Sequence, residues 1–411
     1  ELKEKVHWLD EVVVSARHPK MLPQNEMSVT GGRSFSVEEC RRYAGGLDDP
    51  ARMASNFAGC GTVGPGSNAL VVRGNAPSFV SWRLEGIDIP SPVHFNGSGD
   101  IPGGGLYTIF SSFMLANSDF YSGCFPAEYY NAIGGIFDVK LRSGNPWKHE
   151  FSTQVGVLGL ELSAEGPLAH ANGPTFICNV RLSTMQLLNK IITELSPRQT
   201  VGYQDYSAKL YFPDTKIGRI SIWGILGRSK VNQDAANAPD EWLSNDDRSD
   251  LSMGNLMFAS GITNEYTIGN RISMRNIVAV SGDCQRMNYG IRPPDRPDVP
   301  VSDYEYDDKC INLIVSSTLN QRLTNRTIGR YGVTYKHIRD NCLMQFGSDA
   351  ESSFCDYSGT ARLIQGHGQI KHDISAKITS ILGGCVTYFS SSRECTVEPR
   401  LGLEYKPKRN Q

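Results

Sequence analysis

A chain of 411 residues with a formal net charge of −2 is long enough for two or three ordinary domains, or for one domain and part of a large barrel. Near-zero net charge leaves no electrostatic footprint for nucleic acid, so that class of partner is set aside. Glycine is abundant at 41 residues, Pro, Asn, Ser and Asp recur between apolar runs, and no stretch approaches the roughly 18 consecutive apolar residues of a membrane-spanning helix. If this chain crosses a membrane, it does so with strands closed into a barrel.

Residues 1–8 read as a tail. The next eight, Leu9 to Ala16 (LDEVVVSA), are a short β-branched run behind two acids. They suit an ordinary edge strand, or an extended segment offered to a partner's sheet edge, where backbone hydrogen bonds supply the affinity. From Ser28 to about Gly144 the pattern is mixed α/β. Ser36-Val-Glu-Glu39 fits a capping box, which predicts a helix from Val37 to Tyr43, and Pro50 to Asn56 reads as a second. Leu70–Arg73, Trp82–Glu85, Phe120–Tyr121 and Phe137–Leu141 read as short strands. Between them, Pro90–Gly105 (PSPVHFNGSGDIPGGG) is too rich in Gly and Pro for regular structure. Its Gly97-x-Gly99 is no dinucleotide fingerprint, because Pro102 occupies the third glycine position and no strand leads into a helix.

After Pro146 the period changes to two. Tyr206, Ala208, Leu210 and Phe212 alternate with Asp205, Ser207 and Lys209, and Ile272, Met274, Val278 and Val280 stand opposite Arg271, Ser273 and Arg275. Tyr331, Val333 and Tyr335 oppose Arg330, Thr334 and Lys336, and Val397, Leu401, Leu403 and Tyr405 oppose Glu398, Arg400, Glu404 and Lys406. Such faces belong to strands with unlike surroundings on their two sides, here about ten residues long, as a tilted membrane strand needs. The connections alternate. Short ones are expected near 166–174, 213–217, 266–270, 323–325 and 372–373, and long ones near 185–202, 229–250, 285–308 and 340–360. Outer-membrane barrels alternate in this way, whereas a soluble sandwich has no reason to. Tyr203, Tyr206, Trp223, Tyr266, Tyr331, Tyr335 and Tyr405 fall where aromatic girdles would.

Ten cysteines without a Cys-x-x-Cys pair give no metal framework. Most read as small apolar strand residues, with Cys342–Cys355, and then Cys40–Cys60, as the disulfide candidates. His367 and His372 lack a third ligand, so no metal is expected. The sequence holds no His-Glu-x-x-His, Gly-x-Ser-x-Gly or phosphate-binding Gly-Lys-Ser/Thr motif, and we expect neither an enzyme nor a cofactor. Arg73, Arg83, Glu85 and Glu128 stand in otherwise apolar segments, either on a solvated face or in pairs.

Several motifs combine into a resemblance. Val71-Val-Arg73-Gly74-Asn75, Arg83-Leu-Glu85-Gly86-Ile87-Asp88-Ile89-Pro90, Ala116–Gly123, Phe125-Pro-Ala-Glu-Tyr129, Gly134–Val139, Glu165-Gly-Pro-Leu168 and Tyr203–Lys209 resemble the plug and first barrel strands of TonB-dependent outer-membrane receptors. The similarity runs from about residue 9 to 407. It implies a mixed α/β plug domain (17–146) preceded by a tail with a TonB-box-like segment (1–16). The amino-terminal half of a transmembrane antiparallel β-barrel (147–411) follows, with about 11 or 12 of the family's 22 strands. An open half-barrel leaves two unpaired edges in lipid, so a fragment or truncated product is expected. Tyr130 departs from the family's usual glycine.

The resemblance also implies roles. Glu11, Val12, Val13, Val14, Ser15 and Ala16 would bind the periplasmic protein TonB by strand addition. Arg73, Arg83, Glu85 and Glu128 would lock plug to barrel, and His94, Phe95, Asn96, Ser98 and Asp100 would form a plug loop facing the ligand. The protein would sit in the outer membrane, in contact with its lipid, and import a scarce small ligand or oligomer, with a surface lipoprotein as a further partner. The family imports siderophores, cobalamin, oligosaccharides and peptides, so the ligand stays open. The alternative is an outer-membrane-anchored binding or adhesion module without active transport. A soluble β-rich glycan-binding protein is a third reading.

Overall fold

The computed structural model describes residues 22–407 apart from 29, 44, 65–66, 97–103, 157–158, 185–197, 237–241, 243, 295–300 and 348–352. The first part of the chain forms β1 (Gly32–Phe35), α1 (Val37–Arg42), α2 (Pro50–Ala54), β2 (Cys60–Thr62), β3 (Leu70–Val72), β4 (Val80–Leu84), β5 (Ile87–Ile89), β6 (Ser118–Tyr121) and β7 (Gly135–Val139). Both expected helices are present. The Ser36 side chain accepts from the Glu39 amide while the Glu39 carboxylate accepts from the Ser36 amide, which closes the capping box. Asp49 caps α2 from a fully buried position and also accepts from the Thr108 amide at 2.9 Å, tying the helix to a distant loop.

Five of these strands form a sheet in the order β1-β6-β7-β4-β5, with β4 and β7 parallel and the other pairs antiparallel. Its core stacks Trp82 on Phe137 at 4.2 Å, with Phe35 and Phe120 against the same ring. Three expected strands end earlier than the sequence suggests: Phe137–Leu141 stops at Val139, and Leu70–Arg73 and Trp82–Glu85 each stop one residue early for a shared reason. Arg73 and Glu85 adopt φ 50, each followed by a glycine at φ 81 or 90. Both dipeptides are therefore the two-residue turns of tight hairpins, whose twist requires positive φ at both positions. Leu84 pairs with Ile87 across the second turn.

The rest of the chain is one antiparallel meander of twelve strands: β8 (Glu150–Val155), β9 (Gly159–Pro167), β10 (Thr175–Ser183), β11 (Gln199–Thr215), β12 (Gly218–Gln233), β13 (Ser249–Ile268), β14 (Ile272–Ile291), β15 (Val301–Thr324), β16 (Thr327–Phe346), β17 (Ser353–Asp373), β18 (Ile378–Phe389) and β19 (Glu394–Tyr405). Each pairs with its neighbour in sequence, and β8 and β19 are the two edges of an open sheet among the described residues.

From β11 onward the strands exceed the expected ten residues, reaching 24 in β15, whereas β8, β9 and β10 have 6, 9 and 9. Much of what read as long loops is paired strand: Gln285–Tyr289 continues opposite Tyr304–Asp308. Backbone pairing persists there after the apolar alternation fades, so the side-chain pattern underestimates strand length. Connections at one rim are short (216–217, 269–271, 325–326) and at the other mostly longer (184–198, 234–248, 292–300). The β8–β9 and β18–β19 connections break the alternation, since their three (156–158) and four (390–393) residues lie at the long-loop rim.

Which face is buried decides the architecture. On the inner face Asp205, Lys209 and Glu161 are 3%, 7% and 7% exposed, whereas on the outer face Val333 is 58% and Val278 53% exposed. Ile262, Leu313, Leu382, Val386, Val397 and Leu401 join them outside. The sheet thus covers its charges and shows its aliphatic side chains, the reverse of a soluble protein and what a wall standing in lipid requires.

All ten cysteines carry free thiols, so neither disulfide expectation holds. Cys342 lies opposite Tyr357 and Cys355 opposite Met344, so the two are offset along the ladder. Cys40 packs its sulfur on that of Met53, while Cys60 stands opposite Val72 in the β2–β3 pair.

The orientation of the wall makes a measurable claim. Val278→Arg, in the middle of the outer face, should cost about 2–4 kcal/mol of folding free energy in a bilayer. At an exposed position of a water-soluble sheet the same change would stay within about 0.5 kcal/mol. Denaturant titration in lipid vesicles measures it, and a cost in the lower range would mean that this face does not meet lipid.

Candidate functional site

The small sheet and the wall share no strand. Side chains join them, partly through apolar packing of Ile109, Phe110 and Met114 with Trp223, Ile225, Met257 and Ile277. The polar part of the interface contains two of the four lock residues that the sequence singled out, Glu85 and Glu128, together with several that it did not.

Glu85 is its centre. The tight turn at Glu85-Gly86 points this carboxylate at the wall, where it is almost fully buried. One oxygen accepts from Lys209 Nζ at 2.8 Å and from the Leu141 amide at 2.8 Å, and the other lies 3.4 Å from Arg275 Nη2. Strands β11 and β14 are thereby held by one acid. Lys209 Nζ also donates to the Leu141 carbonyl at 2.8 Å.

Glu128 is the second expected anchor. It pairs with Arg330 of β16 and accepts from Asn25 Nδ2. Burial alone would raise its carboxyl, but the Arg330 and Arg83 charges and the Asn25 hydrogen bond bring it down to about 2. Asn25 is bound on every side: its amide donates to Asp119, and its side-chain oxygen accepts from Arg330 at 2.7 Å. The neighbouring carbonyls of Glu26 and Met27 accept from Lys371 at 2.7 Å and Gln369 at 3.0 Å, both on β17. The stretch Gln24–Met27 is thus a latch between the small sheet and β16–β17.

Arg83 and Arg73 do not reach the wall. Buried Arg83 pairs with Asp88 at 2.9 Å and donates to the Gly86 carbonyl at 2.7 Å, which braces the hairpin that carries Glu85. Arg73 is exposed in its turn and forms no ion pair among the described residues. Tyr130 is accommodated without strain, buried beside Asp88.

Of the expected ligand-facing loop, Ser98 and Asp100 lie outside the described residues. His94 and Phe95 are buried rather than open to solvent, because they pack into an aromatic cluster with Tyr107 and Tyr203. His94 Nε2 lies 2.7 Å from Asp205 of β11, and the Phe95 amide donates to Ser229 of β12. Asn96 is partly exposed, with its carbonyl accepting from Asn255. The expected TonB-binding residues Glu11, Val12, Val13, Val14, Ser15 and Ala16 also lie outside the described residues. His367 and His372 are an odd number of positions apart on β17 and face opposite sides, His367 toward Glu128 and Arg330.

Further contacts were missed. Arg142 forks onto Glu165 of β9 at 2.5 and 2.6 Å, Ser111 donates to Glu161, and Arg181 of β10 bridges Asp205 and the Thr108 carbonyl. Arg400 of β19 donates to the carbonyls of Phe125 and Pro126. Their signal was present as the charged positions of the period-two strands. A polar barrel face that looks at a plug, not at water, makes each such residue a contact candidate.

Two outcomes follow from this geometry. Glu85→Gln strands Lys209 in a buried site and should cost about 3–5 kcal/mol, whereas Arg73→Ala should stay within about 0.5 kcal/mol. Protease protection of the small sheet in a bilayer distinguishes them, and equal effects would refute the assignment. Glu128 titrates below its ordinary value of 4.5, so its contribution is full above about 4.5 and is lost as pH falls through about 2. Protection of the latch should therefore hold from about pH 7 to about pH 3. Release near pH 5 would show that the Glu128–Arg330 pair does not hold it.

No protein-family model matches the sequence, and no curated protein matches it. Solved structures do. The chain is similar to the outer membrane transporter YddB from Escherichia coli (11% identity, TM-score 0.64, over 93% of this chain and 59% of that one). It is similar to the siderophore receptor PirA from Acinetobacter baumannii (13%, 0.63, 92% and 59%) and to FpvA from Pseudomonas aeruginosa, solved with pyoverdine and iron (11%, 0.64, 96% and 56%). These neighbours are transport receptors, not enzymes. The chain spans less than two thirds of the length of each. At this identity the likeness is one of fold, and the fold is that of the TonB-dependent outer-membrane receptors: a plug packed inside part of a barrel wall, here as an open sheet of twelve strands.

Proposed function

We propose that this chain supplies the plug (residues 17–146) and the amino-terminal part of the barrel wall (147–411) of an outer-membrane receptor that imports a scarce ligand with energy delivered through TonB. The observation that carries the reading is the character of the plug–wall interface. It shares no strand, and its polar half consists of ion pairs and hydrogen bonds centred on Glu85, Glu128 and Asn25. Such bonds can be exchanged for bonds to water at small net cost, so the plug can be firmly placed and still movable.

The order of the small sheet supports the same reading. β1 is an edge strand, paired on one side only with β6. The latch Gln24–Met27 lies between β1 and the amino terminus. A pull on the TonB-box-like segment Glu11–Ala16 would reach the latch first and β1 second, peeling the sheet from its edge. Of His94, Phe95 and Asn96, the described residues of the expected ligand-facing set, Asn96 is the one that stays partly exposed, and it would face incoming ligand. The neighbours named as siderophore receptors make ferric siderophores the first ligand class to test.

Deletion of Leu9–Ala16 should leave surface binding of ferric siderophore intact and abolish its uptake. Uptake assays in cells that carry the receptor as their sole ferric-siderophore importer read both. Unaltered uptake would exclude energised import and favour the anchored binding module.

A further inference from the structure

Cys342 of β16 and Cys355 of β17 are free, half-buried thiols that the contacts between the small sheet and the wall do not use. Cys342 and Met344 lie an even number of positions from Arg330 on the same strand, so both share its inward side, and Cys355 stands directly opposite Met344. Residues paired across antiparallel strands point the same way, so this level of the inner face is a row from β13 to β17: Met253, Met287, Tyr306, Met344 and Cys355. In the next row toward the short-turn rim, Asp308 pairs with Cys342, and Asn255 donates to the carbonyl of Asn96. The sulfurs are therefore about level with the loop at Asn96, on the long-loop side of the plug.

The two thiols lie within hydrogen-bonding reach of each other, although they are diagonal rather than opposite neighbours on the ladder. Diagonal positions stand roughly 7–8 Å apart, at or beyond the Cα separation of about 7 Å that a disulfide tolerates. Sulfurs that meet from such positions suit a shared ion better than a bond. Two metal–sulfur bonds of about 2.3 Å span roughly twice the length of a disulfide's single sulfur–sulfur bond. Met344 places a thioether on the same face, on a side chain flexible enough to close on the ion.

This donor set is soft. Among the described residues no three His, Cys, Asp or Glu side chains gather into a metal site, so zinc and the oxygen-seeking cations lack a full set of ligands here. Thiolate and thioether together select Cu(I). The surrounding charge favours a cation. Asp308 lies beside Cys342, Asp340 follows two positions along β16, and neither row carries Lys or Arg from β13 to β17.

We propose that Cys342, Cys355 and Met344 form a binding site for a soft monovalent metal ion, of the Cu(I) and Ag(I) class, on the inner face of the wall. Each thiol gives its proton to solvent as its sulfur binds, and the ion keeps its charge, so no oxidant or reductant takes part. The inference goes beyond import and does not depend on it, since binding needs neither TonB nor a moving plug.

The test uses the full chain in neutral-phospholipid nanodiscs under anaerobic, reducing conditions, with Ag(I) as a redox-inert probe and Cu(I) supplied from a competing chelator. Bound ions are counted by native mass spectrometry, and the thiols left open are alkylated with a maleimide and mapped by peptide mass. The first ion should protect Cys342 and Cys355 together, while Cys284 and Cys395 stay reactive. C342S and C355S should each lose more than about a hundredfold in affinity, the upper end of what even an outer-shell partner of a metal ligand contributes. M344L, a volume-conserving change that keeps the experiment interpretable if loss of a thiol disturbs folding, should lose about tenfold. Prior protection of other cysteines, an unaffected M344L or C342S/C355S variant, or equally tight binding of Zn(II) overturns the proposal. So does a chain that holds Cys342 and Cys355 as a disulfide, lighter by a pair of hydrogens and closed to alkylation. The uptake assay for import is a separate measurement, so either reading can fail without the other.

Discussion

Everything in this structure follows from an inverted sheet. A strand of alternating character has one face for water and one for a core, and the twelve-stranded wall turns its charged face inward. Asp205, Lys209, Glu161 and Glu165 are buried while Val278, Val333 and Leu401 are open. That arrangement is stable only if two conditions hold together. The outer face must meet something apolar, and the inner charges must meet partners, because an unpaired buried charge costs several kcal/mol. Lipid satisfies the first condition and the plug satisfies the second.

The plug is accordingly more than a stopper. Its carboxylates and arginines complete the wall's own electrostatics: Glu85 for Lys209 and Arg275, Glu128 for Arg330, Arg142 for Glu165. Ion pairs of this kind add little net stability over a well-packed apolar interface, yet removing one partner is costly. They hold position and register, and they can be rebuilt after displacement. The apolar contacts around Trp223 and Ile109 add packing without directional demand. An interface divided in this way fixes the small sheet against the wall without a shared strand.

Several elements were readable from residues alone. Ser36 and Glu39 announced α1, since a capping box is a local hydrogen-bonding arrangement that needs no distant partner. The period-two faces of β11, β14, β16 and β19 announced strands with unlike sides, and Glu85 and Glu128 stood out as acids in apolar surroundings. Other features depend on backbone geometry or distant partners that a side-chain pattern does not carry. Arg73-Gly74 and Glu85-Gly86 form tight turns, so β3 and β4 end at Val72 and Leu84. From β11 onward the strands outlast their side-chain alternation, because backbone pairing continues after the alternation stops. His94 sits in a loop expected to face ligand, but it packs among aromatic rings beside Asp205.

The sequence by itself determined the periodicity of the wall, the caps and turns of the plug, and the residues that must find partners or face an apolar surface. These depend on neighbours within a few positions, where chain geometry dictates what can meet. Only the tertiary structure decided which face of each strand is covered, and which charges meet: Glu85 with Lys209 but Arg83 with Asp88, Glu128 with Arg330, and Arg73 with no ion partner described. The reason is physical. Alternation is symmetric with respect to inside and outside, and the pairing of charges more than a hundred residues apart, as in Glu85–Lys209 and Glu128–Arg330, is set by how the wall packs on the plug.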